Sequence, residues 1–227
     1  MTQSDFITFS PNGYFLVPAA GSDLSTHTMC GSHAIPGAIS PNSGAPLLLV
    51  TSLDLRDPAL GIASAPVQKL HLLYSWTCPI SQGPFAYRIT SSGVELVEFT
   101  EGPPYTDFPY DGYPAFFPRY AVTLRPLTVE DQAVIKRLNR HEGDVISLAD
   151  SFPLLAVPRS QVGGEPRLMQ YPIAGYKCPV CKTTTRLLAA IGNDNGSEHG
   201  FAGNNYVQML FYFCDSCSVV IAYNITD

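Results

Sequence analysis

Two C-x-x-C pairs near the end of the 227-residue chain constrain its fold more than any other feature: Cys178 and Cys181 in YKCPVCK, and Cys214 and Cys217 in FYFCDSCS. The spacing lets each pair share one tight turn, and two such turns brought together offer four sulfurs to one ion. The second pair lies between the strand-like runs YVQMLFYF and SVVIAY, so it reads as the turn of a β-hairpin. The first follows YPIAGYK, which completes the layout of a zinc ribbon. Four thiolates match a closed tetrahedral site, so the expected cofactor is one structural zinc per chain on Cys178, Cys181, Cys214 and Cys217, with no open position for a catalytic water. A redox dithiol, disulfides and buried free thiols are the alternatives. The choice depends on compartment. The opening MTQSDFITFS has neither the basic start nor the apolar core of an export leader, and no later stretch approaches the ~18 uninterrupted apolar residues of a membrane span. The expectation is a cytoplasmic chain with no membrane contact, and in a reducing compartment paired knuckles bind metal more often than they form disulfides.

A chain of this length can bury a sizeable core without staples, so a metal would support a local element. Short β-branched or aromatic runs bounded by Pro, Gly, Asn and Ser dominate: FITFS, GYFLVPA, PLLLVTSLDL, KLHLLYSW, FAYRIT, VELVEF and YAVTLRPL. One helix is clear, in LTVEDQAVIKRLNRHEGD: Thr128 caps, Asp131 completes a capping box, and Val129, Ala133, Val134 or Ile135, and Leu138 supply the apolar stripe up to a stop at Gly143. A second, shorter helix is expected around VISLAD. The fold class is therefore β-rich α+β.

Leu47, Leu48, Asp54, Val67, Gln68 and Leu70 recur 140 residues later as Leu187, Leu188, Asp194, Val207, Gln208 and Leu210, and FAYRIT is echoed by IAYNIT. The expected organisation is two related β-sheet halves, residues 1–125 and 161–227, joined by a helical connector over 126–160, as separate units or within one compact domain. Only the second half would keep the knuckles, leaving Cys78 as a remnant or a small buried hydrophobe.

In SQVGGEPRLMQYPIAGYKCPVC, Gly163, Gly164, Pro166 and Gln170, followed by the knuckle and RLLAAIG, resemble the G-G-x-P-x-x-x-Q segment and following strand of the bacterial YwqG-like family. More distantly they resemble the eukaryotic programmed-cell-death-two-like proteins. The similarity covers roughly residues 160 to 225. It implies a β-rich, internally duplicated, sometimes zinc-bearing fold, with no agreed activity on the bacterial side and with binding or chaperoning of basic ribosomal clients on the eukaryotic side. Gly163 and Gly164 read as a turn needing positive φ, because no Lys-Ser/Thr and no helix come after them as a phosphate loop requires.

Nothing marks an active site, so the chain is expected not to be an enzyme. His27, His33, His71, His141 and His199 are scattered; His27 and His33 flank Cys30 in a Gly/Ser/Pro-rich stretch, a weak candidate for a Cys-His nucleophile or a second metal site. A net charge of −6 disfavours direct nucleic-acid binding. The segment from Glu98 to Tyr120 instead carries four tyrosines, four phenylalanines and five prolines among carboxylates. Glu101, Tyr105, Asp107, Tyr110, Asp111 and Tyr113 are its candidate partner-binding residues, since stiff aromatic loops lose little entropy on docking and acidic rims attract basic partners. The alternative is that these aromatics simply cover the sheet. The functional expectation is a zinc-stabilised immunity protein that occludes a basic, nuclease-type bacterial toxin; the alternative is a chaperone or adaptor for an endogenous basic client.

Overall fold

The computed structural model describes residues 7–20, 26–62, 67–75, 84–104, 115–171, 173–192 and 207–226. Twelve strands among these residues form one sheet: β1 (Thr8–Phe9), β2 (Gly13–Pro18), β3 (His27–Met29), β4 (Leu48–Asp54), β5 (Lys69–Tyr74), β6 (Phe85–Thr90), β7 (Gly93–Glu98), β8 (Tyr120–Pro126), β9 (Gln161–Gly163), β10 (Arg186–Gly192), β11 (Val207–Cys214) and β12 (Val219–Thr226). Their order is β5-β4-β3-β8-β2-β9-β10-β11-β12-β6-β7, antiparallel throughout, with β1 added in parallel to β10. The sheet curls around a core that takes Leu72 and Tyr74 from β5, Tyr87 from β6 and Phe211 and Phe213 from β11. Where the curl brings β6 against the edge of β5, the buried Tyr87 hydroxyl donates to the His71 carbonyl (2.9 Å) and accepts from the Leu73 N–H (2.7 Å). One side chain thus satisfies two ladder groups that no strand reaches. Among the described residues no helix is long and apolar enough to cross a membrane.

Three helices cover the outer face at Phe15: α1 (Val129–Arg140), α2 (Val145–Ser151) and α3 (Pro153–Ala156). The α1 capping box is closed as expected, with the Asp131 N–H on Thr128 Oγ1 (3.0 Å) and the Thr128 N–H on Asp131 Oδ2 (2.9 Å). The helix ends at His141 in the left-handed conformation, two residues before Gly143. Its buried stripe is Val134, Ile135, Leu138 and Asn139; Val129, expected in the stripe, is 87% exposed at the first turn. The short helix α3 has no counterpart among the sequence expectations. Pro153 at its start presets the first φ, and Leu155 is its one buried side chain.

Two series of strands repeat each other, β2 to β5 and β8 to β11, so that β8, which the expected boundaries put at the end of the first half, leads the second series. Each contains a leading strand (β2, β8), a three-residue strand (β3, β9) and a hairpin (β4-β5, β10-β11). The leading strands are exchanged: β2 pairs with β9 of the other half and β8 with β3, and β2 and β8 pair with each other. The repeat extends to its irregularities. Val50 bulges between Leu49 and Thr51 on β4, and Leu188 between Leu187 and Ala189 on β10. After β3, Cys30 and Gly31 both take positive φ (56° and 104°), as do Gly163, the last residue of β9, and Gly164 (65° and 62°). The relation the sequence echo pointed to therefore exists, but its register differs from 140. Val50 corresponds to Leu188, an offset of 138, and Leu72 to Phe211 opposite the bulges, an offset of 139. An odd correction on β5 matters because side chains alternate faces: Leu70 faces the main core, whereas Leu210, its match at 140, faces the outer cluster.

The double-glycine turn has no room for side chains. A Cβ on Gly163 would stand 2.2 Å from the Asn12 carbonyl oxygen, whereas one on Gly44, also at positive φ, meets nothing within 4 Å. Gly163→Ala should therefore cost well over the ~1 kcal/mol expected of Gly44→Ala, by about 1–3 kcal/mol or more, in urea unfolding of the two variants. Equal losses would show that the turn relaxes freely.

Candidate metal centre

The four knuckle cysteines converge from two turns. Cys178 and Cys181 sit in the turn closed by the Lys177–Thr184 bridge, where the Cys178 N–H donates to the Thr183 carbonyl (2.8 Å) and the Lys182 N–H to the Cys178 carbonyl (2.9 Å). Cys214 ends β11, paired with Val219 at the start of β12, and Cys217 lies in the turn between them. Because β10 follows the first turn and pairs with β11, the sheet itself places one knuckle over the other. Arg186 braces the arrangement: Nε and Nη2 bind the Asp215 carboxylate (2.9 and 3.1 Å) and Nη1 donates to Ser10 Oγ (2.7 Å). The floor is apolar, with Cys178 and Cys214 packed among Leu168, Leu187, Tyr212 and Val219.

The four sulfurs lie within 4.8 Å of one another, and Cys181 Sγ is 3.6 Å from Cys214 Sγ. All four cysteines are free, Cys178 and Cys214 buried and Cys181 and Cys217 on the outer side. A tetrahedral ion with metal–sulfur bonds of about 2.3 Å holds its sulfurs about 3.8 Å apart. These cysteines are thus positioned to hold a metal ion, with all four ligand positions filled by protein.

Without an ion, one thiolate gathers hydrogen bonds from its surroundings. The Cys181 thiol is lowered to about 6, first by the Thr183 hydroxyl (2.9 Å), next by the Thr183 N–H, and then by Cys217 and Cys214. Cys217 is pushed up to about 12, chiefly because its proton is held by Cys181, and burial raises Cys214. A metal ion must displace those protons, so its affinity rises with pH.

Other candidates from the sequence fare differently. Cys30 is buried and its thiol is pushed up to about 12 by desolvation. Both ring nitrogens of its neighbours are occupied: His27 by Asp57 Oδ2 (3.0 Å) and the Asp54 N–H (3.0 Å), His33 by the Leu47 carbonyl (2.7 Å) and the Ile35 N–H (3.2 Å). The Cys30 region includes strand β3 and does not assemble a nucleophile or a second metal site. Glu101 is exposed; Tyr105, Asp107, Tyr110, Asp111 and Tyr113, like Cys78, lie outside the described residues.

Several polar residues at work here carry no signal in the sequence. Buried Asn139 donates to the Pro166 carbonyl (2.8 Å) and accepts from the Leu168 N–H (3.0 Å), while Gln208 accepts from the Met169 N–H (3.1 Å) and donates to the Arg167 carbonyl (2.8 Å). These two amides strap the segment after the double glycine over the outer face. Ser52 and His71 are cross-strand partners with Oγ 2.8 Å from Nδ1, beside a cavity of about 560 Å³. Burial first, then Lys69 and His33, lower the His71 value and so favour the neutral imidazole. A lone Ser and a lone His 19 positions apart carry no motif; only the pairing of β4 with β5 reveals them.

No family model matches the chain, and no curated protein matches it.

Cys214→Ser should abolish stoichiometric metal binding and speed amide exchange at the β11–β12 turn and around Cys178, with β4 and β5 little affected. Uniform loss of protection would show that the centre holds the whole fold. In metal-free protein, ultraviolet thiolate absorbance should show one of the clustered thiols ionising near pH 6. That thiolate's hydrogen bonds add stability above the ordinary thiol range and are lost as pH falls through about 6. Thr183→Val should move the midpoint up.

Proposed function

We propose that this chain is a non-enzymatic, zinc-stabilised binding protein that neutralises a basic, nuclease-type bacterial toxin by covering its active site. Zinc is the ion that four thiolates favour by softness and geometry, and a saturated site gives it a structural role, one ion per chain. The YwqG-like resemblance is compatible with a bacterial protein whose work is binding. Cytoplasmic residence follows from the reduced thiols such a site requires.

The observation that carries the reading is the exposed acidic edge that leads in sequence into the aromatic-rich residues 105–114. Glu95 and Glu98 on the last strand of the sheet, β7, and Glu101 just beyond it are all exposed, as are Phe99 and Phe116. Asn42 roots this approach to the body by donating to the Thr100 (3.2 Å) and Gly102 (2.8 Å) carbonyls. A nuclease must present positive charge to its substrate, so carboxylates beside exposed aromatics suit its groove.

The test is to isolate the complex from the native host and assay it. The expected partner is a basic nuclease, inactive in the complex and active once released. Association should slow and lose salt dependence in Asp107→Asn/Asp111→Asn, while Tyr110→Ala should speed dissociation at a cost of about 2 kcal/mol or more. A ribosomal or other housekeeping client would favour the adaptor reading, and an active nuclease in the complex would exclude neutralisation. Metal analysis of the same preparation should return about one zinc per chain.

A further inference from the structure

The turn that carries the first cysteine pair has a twin in the other half. Within the Ile39–Pro46 bridge the Ser40 N–H donates to the Ala45 carbonyl (2.7 Å) and the Gly44 N–H to the Ser40 carbonyl (2.9 Å). These bonds repeat, at an offset of 138, those of Cys178 with Thr183 and of Lys182 with Cys178. The residue near the end of each turn is left-handed, Gly44 at φ 71° and Lys182 at φ 64°. The next bond outward matches too: Leu47 N–H to the Ala38 carbonyl and Thr185 N–H to the Tyr176 carbonyl, both 2.9 Å. This register lays Ser40-Pro41-Asn42-Ser43 on Cys178-Pro179-Val180-Cys181. On the neighbouring strand the offset of 139 lays Ser75 on Cys214.

The matched side chains share burial and bonding as well as position. Ser40 and Ser75 are buried, like Cys178 and Cys214, and Ser43 is exposed, like Cys181. Ser75 Oγ donates to Ser40 Oγ at 3.1 Å, so the turn and the end of the neighbouring strand meet through hydroxyls where the other half brings sulfurs together. The Ala45 N–H donates to Ser43 Oγ (3.3 Å) just as the Thr183 N–H donates to the Cys181 sulfur. Along the sequence Cys78 comes after Ser75 at the spacing of Cys217 after Cys214; it lies outside the described residues, and the three serines alone define the matched site.

We infer that Ser40, Ser43 and Ser75 are the counterpart of the cysteine cluster, with hydroxyls where the other half has thiols, and that their placement has the geometry to take a thiophilic divalent ion once cysteines replace them. Neutral hydroxyls are poor ligands for such an ion. The N-terminal half therefore closes on a hydrogen bond between serines, and the C-terminal half closes on a metal. The inference rests on the reading of the cysteine cluster as a metal centre, and its test measures the two separately.

The full-length Ser40→Cys/Ser43→Cys/Ser75→Cys variant and the wild type are loaded with zinc chloride, desalted and analysed for metal per chain. The wild type reports on the cysteine cluster, and the increment reports on this inference. One additional ion per chain is expected, with a matching rise in thiolate-to-metal absorption when cobalt(II) replaces zinc. A folded triple variant with no increment overturns the inference. Should the triple variant fail to fold, Ser40→Cys/Ser75→Cys changes the two buried positions alone. Added zinc should then raise its melting temperature by more than it raises that of the wild type, and an equal or smaller rise overturns the inference.

Discussion

The ladder between β2 and β8, running from Tyr14 opposite Pro126 to Pro18 opposite Val122, is the seam on which the remaining strands are hung. Each of these strands spends its other edge on the opposite half of the chain, β2 on β9 and β8 on β3. Neither half can complete its own sheet, because the strand it needs is supplied by the other. The result is one continuous ladder whose interior draws Leu16, Val122 and Val162 into the same apolar cluster as Tyr74 and Phe213. Burial on that scale is the main favourable term in folding, so an ion held by the four cysteines would add to a structure already committed by its core.

The halves differ in what they build on this common frame. In the C-terminal half β12 pairs with β11 along its full length, and the outer face of β10, β11 and β12 gains a second cluster under Leu168, Met169 and Tyr176. In the N-terminal half β6, the sequence echo of β12, leaves β5 and pairs with β12 itself. That shift turns Tyr87 into the main core, while Tyr223, its match in FAYRIT and IAYNIT, packs in the outer cluster. The Tyr87 hydroxyl then stands in for the strand that β5 lacks. Four sulfurs gather between the turns of the C-terminal half, and the Ser75–Ser40 hydrogen bond stands at the matching place in the N-terminal half.

Much of this was legible in the chain. The knuckles, the hairpin that carries the second one, the capped helix and most strands carry strong local signals: fixed cysteine spacing, Thr128 with Asp131, and β-branched runs bounded by turn residues. What was not legible depends on partners distant in sequence. β3 and β9 have three residues each, too few to show periodicity, and they exist because β8 and β2 pair with them. The register of the repeat differs from the one the echo suggests because strand-rich sequences share a small set of apolar residues that match by chance. Backbone features, the bulges at Val50 and Leu188 and the paired positive-φ residues, fix it where side-chain identity does not. Val129 carries an apolar side chain at a first-turn position that faces solvent.

The exchange of leading strands also sets a timetable for synthesis. β2 leaves the ribosome early, yet both of its partners, β8 and β9, are made roughly a hundred residues or more later. Until then Phe15 and Leu16, buried in the finished protein, have no sheet to join. The nascent N-terminal segment must keep β2 open until β8 and β9 have been made, and only then can it be captured from both sides. A duplicated chain that kept each leading strand at home could finish its first series of strands while the second was still being translated; this one has to wait until β9, deep in the second series, has been made.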